Sequence, residues 1–537
     1  MLRSIPNIIL SMFFCIIIAS PVLVTIMPVR QAATLEEKRR LAPRPGVPRD
    51  VRQFLEFPAR FESYFNDHFS LRSLLIRGYS LIRLHLQDRS ASRFVISGSD
   101  GWLFFTGDQV LKDYCGAVLF SEKELEFRRI LLEQKRNWLE EQGIAYLFVI
   151  PPNKHSIYPE YMPDEYNRLK GRTRLDQFAD YLRKHSDIAV LDLREALTSV
   201  KDKFRLYHKT DTHWNDAGAF YAYRKIIQAI DGRLADWHSE PWELSEFDVV
   251  SENGKGGDLA LLMGLQDTLT EDRISFRPRI PRRAEKVVLP SYLGRVWVLS
   301  NRTLDPFAEV TPDGRGTMVV FHDSFAGSLI PFLSEHFRRS VYFWRNHPDY
   351  FLLRDVVEKE RPDIVVEELL ERFIGYMRTE QQFPSPELET EFSRSADTVL
   401  HIAPSSASTG MFSRVREMTI SGAPDGFAMH VTENDPRFEL PESRVPDTVR
   451  SIVRIVISSP ADTYIQLFYQ TKDERDFGSW LSRKAPLKKG RNIVFIAIPN
   501  LNRIGRLRLD PGAVQGDYIL HELEIRGSGK AIESLHP

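Results

Sequence analysis

The segment YHKTDTHWND, from Tyr207 to Asp216, places two histidines, two aspartates and a lysine within ten residues. These side chains could form a polar surface loop, a metal site or part of a catalytic triad. Asp211 and His213 are two positions apart, and side chains two apart in an extended segment point to the same side. The Asp211 carboxylate can therefore approach Nδ1 of His213, fix one ring tautomer and leave Nε2 free to accept a hydroxyl proton.

A serine that could use such a base lies in the segment VVFHDSFAGSL. Ser324 follows a predicted buried strand and precedes a predicted helix, a position that exposes a hydroxyl at the carboxyl edge of a parallel sheet. The first N–H groups of a helix can stabilise an oxyanion, and the N–H of Ser324 is itself one candidate. On its own, the strand–serine–helix pattern favours the simpler role of an N-cap.

A metal site built from His208, Asp211 and His213 is another interpretation of the ten residues. It lacks the helical spacing of two histidines four apart and any cysteine, so a triad is favoured over it. His208 and Lys209 have no task in a triad. A solvated loop is disfavoured by the apolar Trp214, which could cover the His213 ring, and by the helix predicted to follow.

The surrounding sequence predicts the elements that position these residues. Apolar runs such as IAYLFVI and IAVLDL are typical of buried parallel strands, and amphipathic segments such as 121–142 predict helices between them. This alternation predicts a parallel sheet with helices on both faces. From about residue 396, short alternating segments separated by turn residues predict an antiparallel β-sandwich.

Composition limits the function classes. The chain has 537 residues, which favours more than one domain, and its 72 basic and 73 acidic residues leave a net charge of −1. That balance gives no argument for nucleic-acid binding. The two cysteines, Cys15 and Cys115, exclude a disulfide framework and a cysteine-based zinc site.

The N-terminus predicts a membrane segment. Residues 4–29 carry no charged side chain and are long enough to cross the roughly 30 Å hydrocarbon layer as a helix. They favour an uncleaved signal anchor over a cleaved signal peptide or a buried core helix. Basic residues are more frequent after this stretch than before it, which by itself would place the body of the protein in the cytoplasm.

Several motifs resemble those of one known family. HDSF resembles the nucleophile block of SGNH (GDSL-type) hydrolases, and DTHWN resembles their Asp-x-His block. Ordinary members have serine first, whereas here Asp211 and His213 precede Ser324. This order resembles the SGNH hydrolase-like domain of the alginate O-acetyltransferase family, of AlgJ/AlgX type. Six segments match the family in its order over roughly residues 35–375: LEEKRRLAPRP, FESYFNDHFSLR, DGWLFF, IPPNKHSIYPEYMP, YHKTDTHWNDAGA and RPDIVVEELLER.

The resemblance implies an O-acetyltransferase that acetylates a bacterial exopolysaccharide or cell-surface glycan. Ser324 would be the acetylated nucleophile, His213 the base and Asp211 its orienter, with no metal and no cofactor. The family's enzymes face the periplasm, so the N-terminal helix would anchor the chain in the inner membrane, against the distribution of basic residues. A membrane-bound O-acyltransferase would deliver the acetyl group.

Two alternatives remain open at this point. A carbohydrate acetylesterase would use the same three residues with water as the acceptor, and the sequence does not separate it from the transferase. A non-catalytic polysaccharide-binding scaffold would keep the fold alone, and the intact set of Asp211, His213 and Ser324 argues against it.

The chain departs from the family pattern near the site. His322 stands where a glycine usually precedes Asp-Ser, and could crowd the backbone or bring a second imidazole near the site. A strand that ends in an oxyanion-binding asparagine in many SGNH hydrolases ends here in Glu367 and Glu368. Lys154 lies in a matched segment and has no assigned role.

The predicted organisation has four parts: a signal anchor over 1–30, a stalk (Pro- and charge-rich over 31–60) and helical lead-in over 31–95, an SGNH hydrolase-like catalytic domain over 96–395, and a β-sandwich over 396–537. The sandwich pattern resembles carbohydrate-binding modules. Four of its aromatic residues are candidates to stack on sugar rings: Tyr464, Phe468, Tyr469 and Trp480. For most of these four, a position in the sandwich core is favoured instead.

Overall fold

The computed structural model describes residues 11–16, 41–69, 72–85, 94–235, 237–289, 297–299, 302–395, 397–403, 409–442, 450–471, 476–498 and 503–528. Apart from 11–16, which are helical, the predicted signal anchor lies outside these residues. Among the described helices, none combines the length and the apolar character needed to cross a membrane. The anchor and the bounds of the four predicted parts stay predictions.

The first two-thirds of the described chain is built on strands and helices in alternation. Its strands are β1 (Val95–Ser97), β2 (Leu103–Phe105), β3 (Ala145–Ile150), β4 (Val190–Asp192), β5 (Phe247–Lys255), β6 (Thr270–Pro278), β7 (Glu285–Val287), β8 (Trp297–Leu299), β9 (Arg302–Leu304), β10 (Phe307–Val310), β11 (Thr317–His322), β12 (Arg339–Trp344) and β13 (Ile364–Glu368). Its α-helices span Val51–His68, Arg72–His85, Val110–Tyr114, Glu122–Glu140, Lys154–Ile157, Asp164–Asn167, Arg174–His185, Arg194–Thr198, Asp216–Asp231, Asp258–Leu262, Ile330–Leu333, Tyr350–Glu360 and Pro386–Arg394.

A seven-stranded sheet in the order β4-β3-β13-β11-β12-β10-β7 is the framework of this region. The first five strands are mutually parallel, and β10 and β7 pair antiparallel at one edge. The predicted parallel sheet is therefore confirmed, with an antiparallel edge added. IAVLDL, predicted to be buried, supplies only the half-buried edge strand β4.

Both faces of the sheet are covered, as predicted. Successive residues of β3 enter opposite cores: Leu147 and Val149 pack on one side, Phe148 and Ile150 on the other. The first core includes helix Asp216–Asp231, and the second includes helices Glu122–Glu140, Arg174–His185 and Tyr350–Glu360. A continuous apolar run is what such a doubly covered strand requires.

The C-terminal region is antiparallel throughout, as its alternating sequence predicts. Two sheets, in the orders β16-β17-β24-β19-β22 (with β14 beside β24) and β15-β18-β23-β20-β21, share one apolar core. Their strands are β14 (Asp397–Ile402), β15 (Ser413–Arg416), β16 (Met418–Ala423), β17 (Gly426–Val431), β18 (Arg437–Glu439), β19 (Arg450–Ser459), β20 (Thr463–Thr471), β21 (Ser482–Leu487), β22 (Gly490–Ile498), β23 (Arg503–Asp510) and β24 (Gly516–Ser528).

The four aromatic candidates of the C-terminal region have different positions. Tyr469 belongs to the core, and Phe468 is buried beneath the guanidinium of Arg508. Tyr464 packs edge-on against Phe351 of the preceding region. Trp480 is 61% exposed, so it is the member of the set that keeps the surface needed to stack on a sugar.

The predicted helical lead-in begins earlier than its sequence pattern indicates, within the predicted stalk. Helix Val51–His68 starts within the Pro- and charge-rich segment, at Asp50, whose side chain accepts the N–H of Gln53 at 2.7 Å. Pro58 lies inside this helix. The N-cap and the helical spacing of the apolar residues outweigh the missing proline N–H.

Candidate active site

The structure brings Asp211, His213 and Ser324 together in one hydrogen-bonded chain. Nδ1 of His213 lies 2.6 Å from Oδ1 of Asp211, and Nε2 lies 2.8 Å from Oγ of Ser324. A carboxylate only accepts hydrogen bonds, so the ring proton resides on Nδ1 and Nε2 is free to accept the hydroxyl proton. This is the arrangement in which a histidine can act as a general base towards a serine.

Ser324 occupies the predicted strand-to-helix turn at the carboxyl edge of the sheet. Strand β11 ends at His322, and a five-residue 3₁₀ helix runs from Ser324 to Ser328. The predicted helix is therefore short and begins as a 3₁₀ helix, and the α-helix that follows covers only Ile330–Leu333. Any oxyanion stabilisation at this turn comes from individual N–H groups rather than from a helix dipole.

Asp323 fixes the turn that presents the serine. Its Oδ1 accepts the N–H of Phe325 and its Oδ2 accepts the N–H of Leu370, both at 2.9 Å. The N–H of Phe325 is thereby taken. Among the described residues the N–H of Ser324 has no acceptor, which leaves it as the donor available to an oxyanion.

The two glutamates at the end of β13 do not replace the missing asparagine donor. Oε2 of Glu368 accepts the N–H of Asp323 at 2.9 Å, and burial together with the nearby Asp323 carboxylate raises the pKa of Glu368 well above its usual range. Oε2 of Glu367 accepts hydrogen bonds from Nζ of Lys135 at 2.5 Å and from the hydroxyl of Tyr146 at 2.9 Å. Both side chains support the framework.

His322 is buried beside the turn without joining the triad. Its Nδ1 lies 2.7 Å from the carbonyl oxygen of Asp323, and its ring packs near Tyr342 and Trp344. Burial lowers the pKa of His322, which favours the neutral ring.

The carboxylate of Asp211 is held ionised by its surroundings. Burial opposes ionisation, but hydrogen bonds from the ring and backbone of His213 and from the Asp258 N–H hold the pKa of Asp211 well below its usual range. The Asp258 N–H reaches Oδ2 at 2.8 Å, while Oδ1 serves His213. Each carboxylate oxygen therefore has its own donors, which fixes the plane of the group.

Gly257 lets the next segment approach Asp211 closely. A Cβ built at Gly257 would stand 2.4 Å from Cβ and 2.5 Å from Oδ2 of Asp211. The Gly257 N–H donates to Oγ1 of Thr210 at 2.8 Å. The glycine-rich segment ENGKGGDLALLMG therefore packs directly against Asp211. Sequence periodicity could not indicate this contact.

Gly257→Ala is expected to displace Asp211. Since the added methyl must push the carboxylate away, we expect a rate loss of about tenfold to a hundredfold and a stability loss of about 1–3 kcal/mol. Ester hydrolysis and thermal melting measure the two effects. Gly422→Ala, where the built Cβ meets nothing within 4 Å, is the control. Equal activities of the two variants would contradict the close contact.

A buried segment after β3 is hydrogen-bonded to the loop Tyr207–Asp216, which we call the histidine loop. Lys154 is 3% exposed, and its Nζ donates to the carbonyl oxygen of Asp211 at 2.6 Å. Glu371 holds this segment by accepting the N–H of Asn153 at 2.7 Å and the hydroxyl of Ser156 at 2.7 Å. Burial raises the pKa of Glu371 to about 7.

Glu371 is expected to make the protein less stable as the pH rises. The folded protein holds this proton up to about pH 7, whereas the unfolded chain releases it near its usual value of 4.5. The free energy of unfolding therefore falls by up to about 3 kcal/mol between those values. Glu371→Gln removes this dependence, so it gains stability relative to the parent as pH rises, measured by urea unfolding from about pH 4 to about pH 8.

The exposed Glu358 provides the control for this measurement. Glu358→Gln should follow the parent curve, because its side chain is 64% exposed. A Glu371→Gln curve that runs parallel to the parent at every pH would show that the buried carboxyl does not titrate in this range.

The aromatic cover of the base differs from the expectation. The ring nearest His213 is that of Phe325, with centroids 4.9 Å apart. Trp214 is buried and donates its indole N–H to the carbonyl oxygen of Phe325 at 3.0 Å. Trp214 therefore links the loop that carries His213 to the turn that carries Ser324.

The residues that could form a metal site differ from those expected from the sequence. Among the described residues, the groups close enough to share a cation at this site are Asp211, His213 and Asp258, rather than His208. Oδ2 of Asp258 lies 3.9 Å from Nδ1 of His213 and accepts the hydroxyl of Thr212 at 2.7 Å. A cation here would compete for the Asp211–His213 hydrogen bond, so the set fits a proton-transfer site better than a metal site.

Part of the chain is similar in sequence to known proteins. The family model for the SGNH hydrolase-like domain of the acetyltransferase AlgX matches residues 95–287, which include Asp211 and His213 and end before Ser324. The probable alginate O-acetylase AlgJ of Pseudomonas syringae pv. tomato is 27% identical over 180 residues, 34% of this chain and 44% of that protein. The probable alginate O-acetylase AlgJ of Pseudomonas aeruginosa is 24% identical over 233 residues, 43% of this chain and 53% of that protein.

Solved structures of proteins with these names are also similar. Pseudomonas aeruginosa AlgX aligns with a TM-score of 0.35 at 14% identity, over 84% of this chain and 99% of that chain. The O-acetyltransferase domain of Pseudomonas putida AlgJ aligns with a TM-score of 0.32 at 18% identity, over 52% of this chain and 91% of that chain. This chain spans about half of the length of the curated relatives it matches, or less. Through residues 95–287, the chain is similar to the SGNH hydrolase-like domain of the alginate O-acetyltransferase family.

Proposed function

We propose that this protein transfers an acetyl group to a hydroxyl group of a bacterial exopolysaccharide or cell-surface glycan through an acetyl-Ser324 intermediate. The observation that carries the proposal is the continuous chain from Asp211 through His213 to Ser324, with distances of 2.6 and 2.8 Å. The names of the relatives, probable alginate O-acetylases, support the acetyl group and the polysaccharide.

The first half of the reaction forms the acetyl-enzyme. Oγ of Ser324 attacks the carbonyl carbon of the donor while Nε2 of His213 takes the hydroxyl proton. The ring then carries a positive charge, which the ionised Asp211 stabilises. The N–H of Ser324 donates to the oxyanion of the tetrahedral intermediate. When the intermediate collapses, His213 returns the proton to the leaving group.

The second half passes the acetyl group to the sugar. Nε2 of His213 accepts the proton of a sugar hydroxyl, whose oxygen attacks the acetyl carbon. Collapse of the second tetrahedral intermediate releases the acetylated sugar, and the proton returns from His213 to Oγ of Ser324. Water in place of the sugar would give an acetylesterase with the same residues.

Location and donor form part of the proposal. The uncharged residues 4–29 would anchor the chain in the inner membrane with residues 31–537 on the periplasmic side. A membrane-bound O-acyltransferase would then supply the acetyl group to Ser324 from the membrane. The C-terminal sandwich would hold the polymer, with Trp480 as the exposed aromatic residue for stacking.

A transfer assay tests the proposal. The full chain, purified in detergent, is incubated with an acetyl-aryl ester and a panel of polysaccharide oligomers that includes alginate. Mass increases of one acetyl group on an oligomer, dependent on enzyme, support transfer. Release of acetate at the same rate with every oligomer and with none indicates hydrolysis and contradicts the transferase.

A further inference from the structure

Lys154 is a buried cation that the proposed mechanism does not use. It follows the carboxyl end of β3, and its Nζ donates to the carbonyl oxygens of Asp211, His208 and Lys209 at 2.6, 3.0 and 3.1 Å. An ammonium group has three hydrogens to donate. All three acceptors therefore lie in the loop that carries the catalytic pair, and they use the full capacity of the group.

The surroundings of Lys154 give it no carboxylate partner at contact distance. Among the described residues it forms no ion pair within 4.0 Å. Its Nζ lies 5.5 and 5.3 Å from the ring centroids of Trp102 and Phe104. The charged and titratable groups that act on it from neighbouring elements are Asp211, Asp258, Glu271, Arg205 and His155.

Burial makes this ammonium costly to maintain. Loss of hydration lowers the pKa of Lys154 to about 7, against the attraction of Asp211, Asp258 and Glu271. A methionine side chain would fill a similar volume without that cost. It could not satisfy the three loop carbonyls, which would be left buried without donors.

The loop is short and closed, so a shift at its carbonyls reaches the base. Tyr207 and Trp214 pair across it as an antiparallel bridge. The strongest Lys154 contact is to the carbonyl of Asp211, whose own side chain orients His213. A displacement of about 1 Å at a catalytic group can lower the rate about a hundredfold.

We propose that Lys154 is a positioning residue for the catalytic base: by fixing the carbonyl groups of the loop, its ammonium sets the distance from His213 to Ser324. The inference rests on the proposed function of Ser324. Lys154 does not touch the reacting atoms, and it acts through the backbone of Asp211.

The rate at which Ser324 becomes covalently labelled tests this role. The full chain is treated with a fluorophosphonate ester, which reacts with activated serines, and labelling is followed by intact mass. We expect Lys154→Met to label at least about tenfold more slowly. Labelling of this variant at the parent rate, with an equal final extent, overturns the proposal. If Lys154→Met does not fold, Lys154→Gln takes its place with the same expectation.

Lys209 provides a matched control in the same loop. Its Nζ points outward and donates to the carbonyl oxygen of Asp100 at 2.9 Å. Lys209→Met should therefore label within about twofold of the parent. If it slows labelling as much as Lys154→Met does, the loop is generally sensitive and the specific role of Lys154 is overturned.

A second readout separates positioning from a general structural role. As the pH rises past about 7, the ammonium loses one of its three hydrogens, so the ratio of the parent rate to the Lys154→Met rate should fall. A lysine that only stabilised the fold would change the melting temperature and leave this ratio constant. A ratio that is constant from about pH 6 to about pH 9 contradicts the proposal.

Failure of the proposed function gives a different pattern. If the parent is not labelled at Ser324, the serine mechanism fails, and amide hydrogen exchange of residues 207–216 then decides the role of Lys154. Exchange that rises in Lys154→Met, and not in Lys209→Met, supports the positioning role. Exchange equal in both variants overturns it.

Discussion

Ser324→Ala is expected to abolish acetyl transfer and ester hydrolysis, with a loss of about ten-thousandfold or more. The hydroxyl is the group that would form the acetyl-enzyme, and no other oxygen of the triad can replace it. The fold should persist, because Ser324 is half-buried and its backbone position is fixed by Asp323. Initial rates with an acetyl-aryl ester, and intact mass for the acetyl adduct, measure the effect.

Ser328 offers the control within the same 3₁₀ helix. Ser328→Ala removes a hydroxyl four positions away and should leave the rate within about twofold. An acetyl adduct that still forms on the Ser324→Ala protein would place the nucleophile elsewhere and reject the site assignment.

Asp211→Asn is expected to lower the rate by about a thousandfold to ten-thousandfold while leaving the shape of the site intact. An asparagine can turn its N–H₂ towards Nδ1, which favours the tautomer that carries its proton on Nε2. That nitrogen then has no lone pair for the hydroxyl of Ser324. Steady-state ester hydrolysis of Asp211→Asn, compared with the parent, measures the loss.

Asp258 makes this experiment discriminating. Its Oδ2 is 3.9 Å from Nδ1 of His213, against 2.6 Å for Oδ1 of Asp211, so it is the other carboxylate that could orient the ring. Asp258→Asn should lose far less activity, because its side chain mainly holds Thr212. If Asp258→Asn is the more damaging change, the orienting residue is Asp258 and the assignment of Asp211 is wrong.

The catalytic candidates could be predicted because their signals are local. Asp211 and His213 are two positions apart, and Ser324 follows an apolar run long enough to be a buried strand. Each signal needs only a few neighbouring residues. The parallel sheet followed from the same kind of pattern, since strands covered on both faces are apolar at every position.

The supporting contacts could not be predicted because they join distant parts of the chain. Lys154 is 57 positions from Asp211, Asp258 is 47 positions from it, and Glu271 is 62 positions from Lys209. No periodicity pairs such residues. The short 3₁₀ helix after Ser324 was missed for a related reason, since apolar spacing predicts a helix and does not report its hydrogen-bond pattern.

The hydrogen bonds that hold the histidine loop also have a consequence for protein engineering. The carbonyl oxygen of Asp211 in this loop accepts a hydrogen bond from Lys154. Glu271 accepts the N–H of Lys209 at 2.5 Å, and Asp258 accepts the N–H of Thr212 at 2.7 Å. These three supports belong to three separate segments. The ten residues YHKTDTHWND grafted alone onto a foreign scaffold would therefore carry the acid–base pair without its geometry, and the smallest transplantable unit of this site includes all three segments.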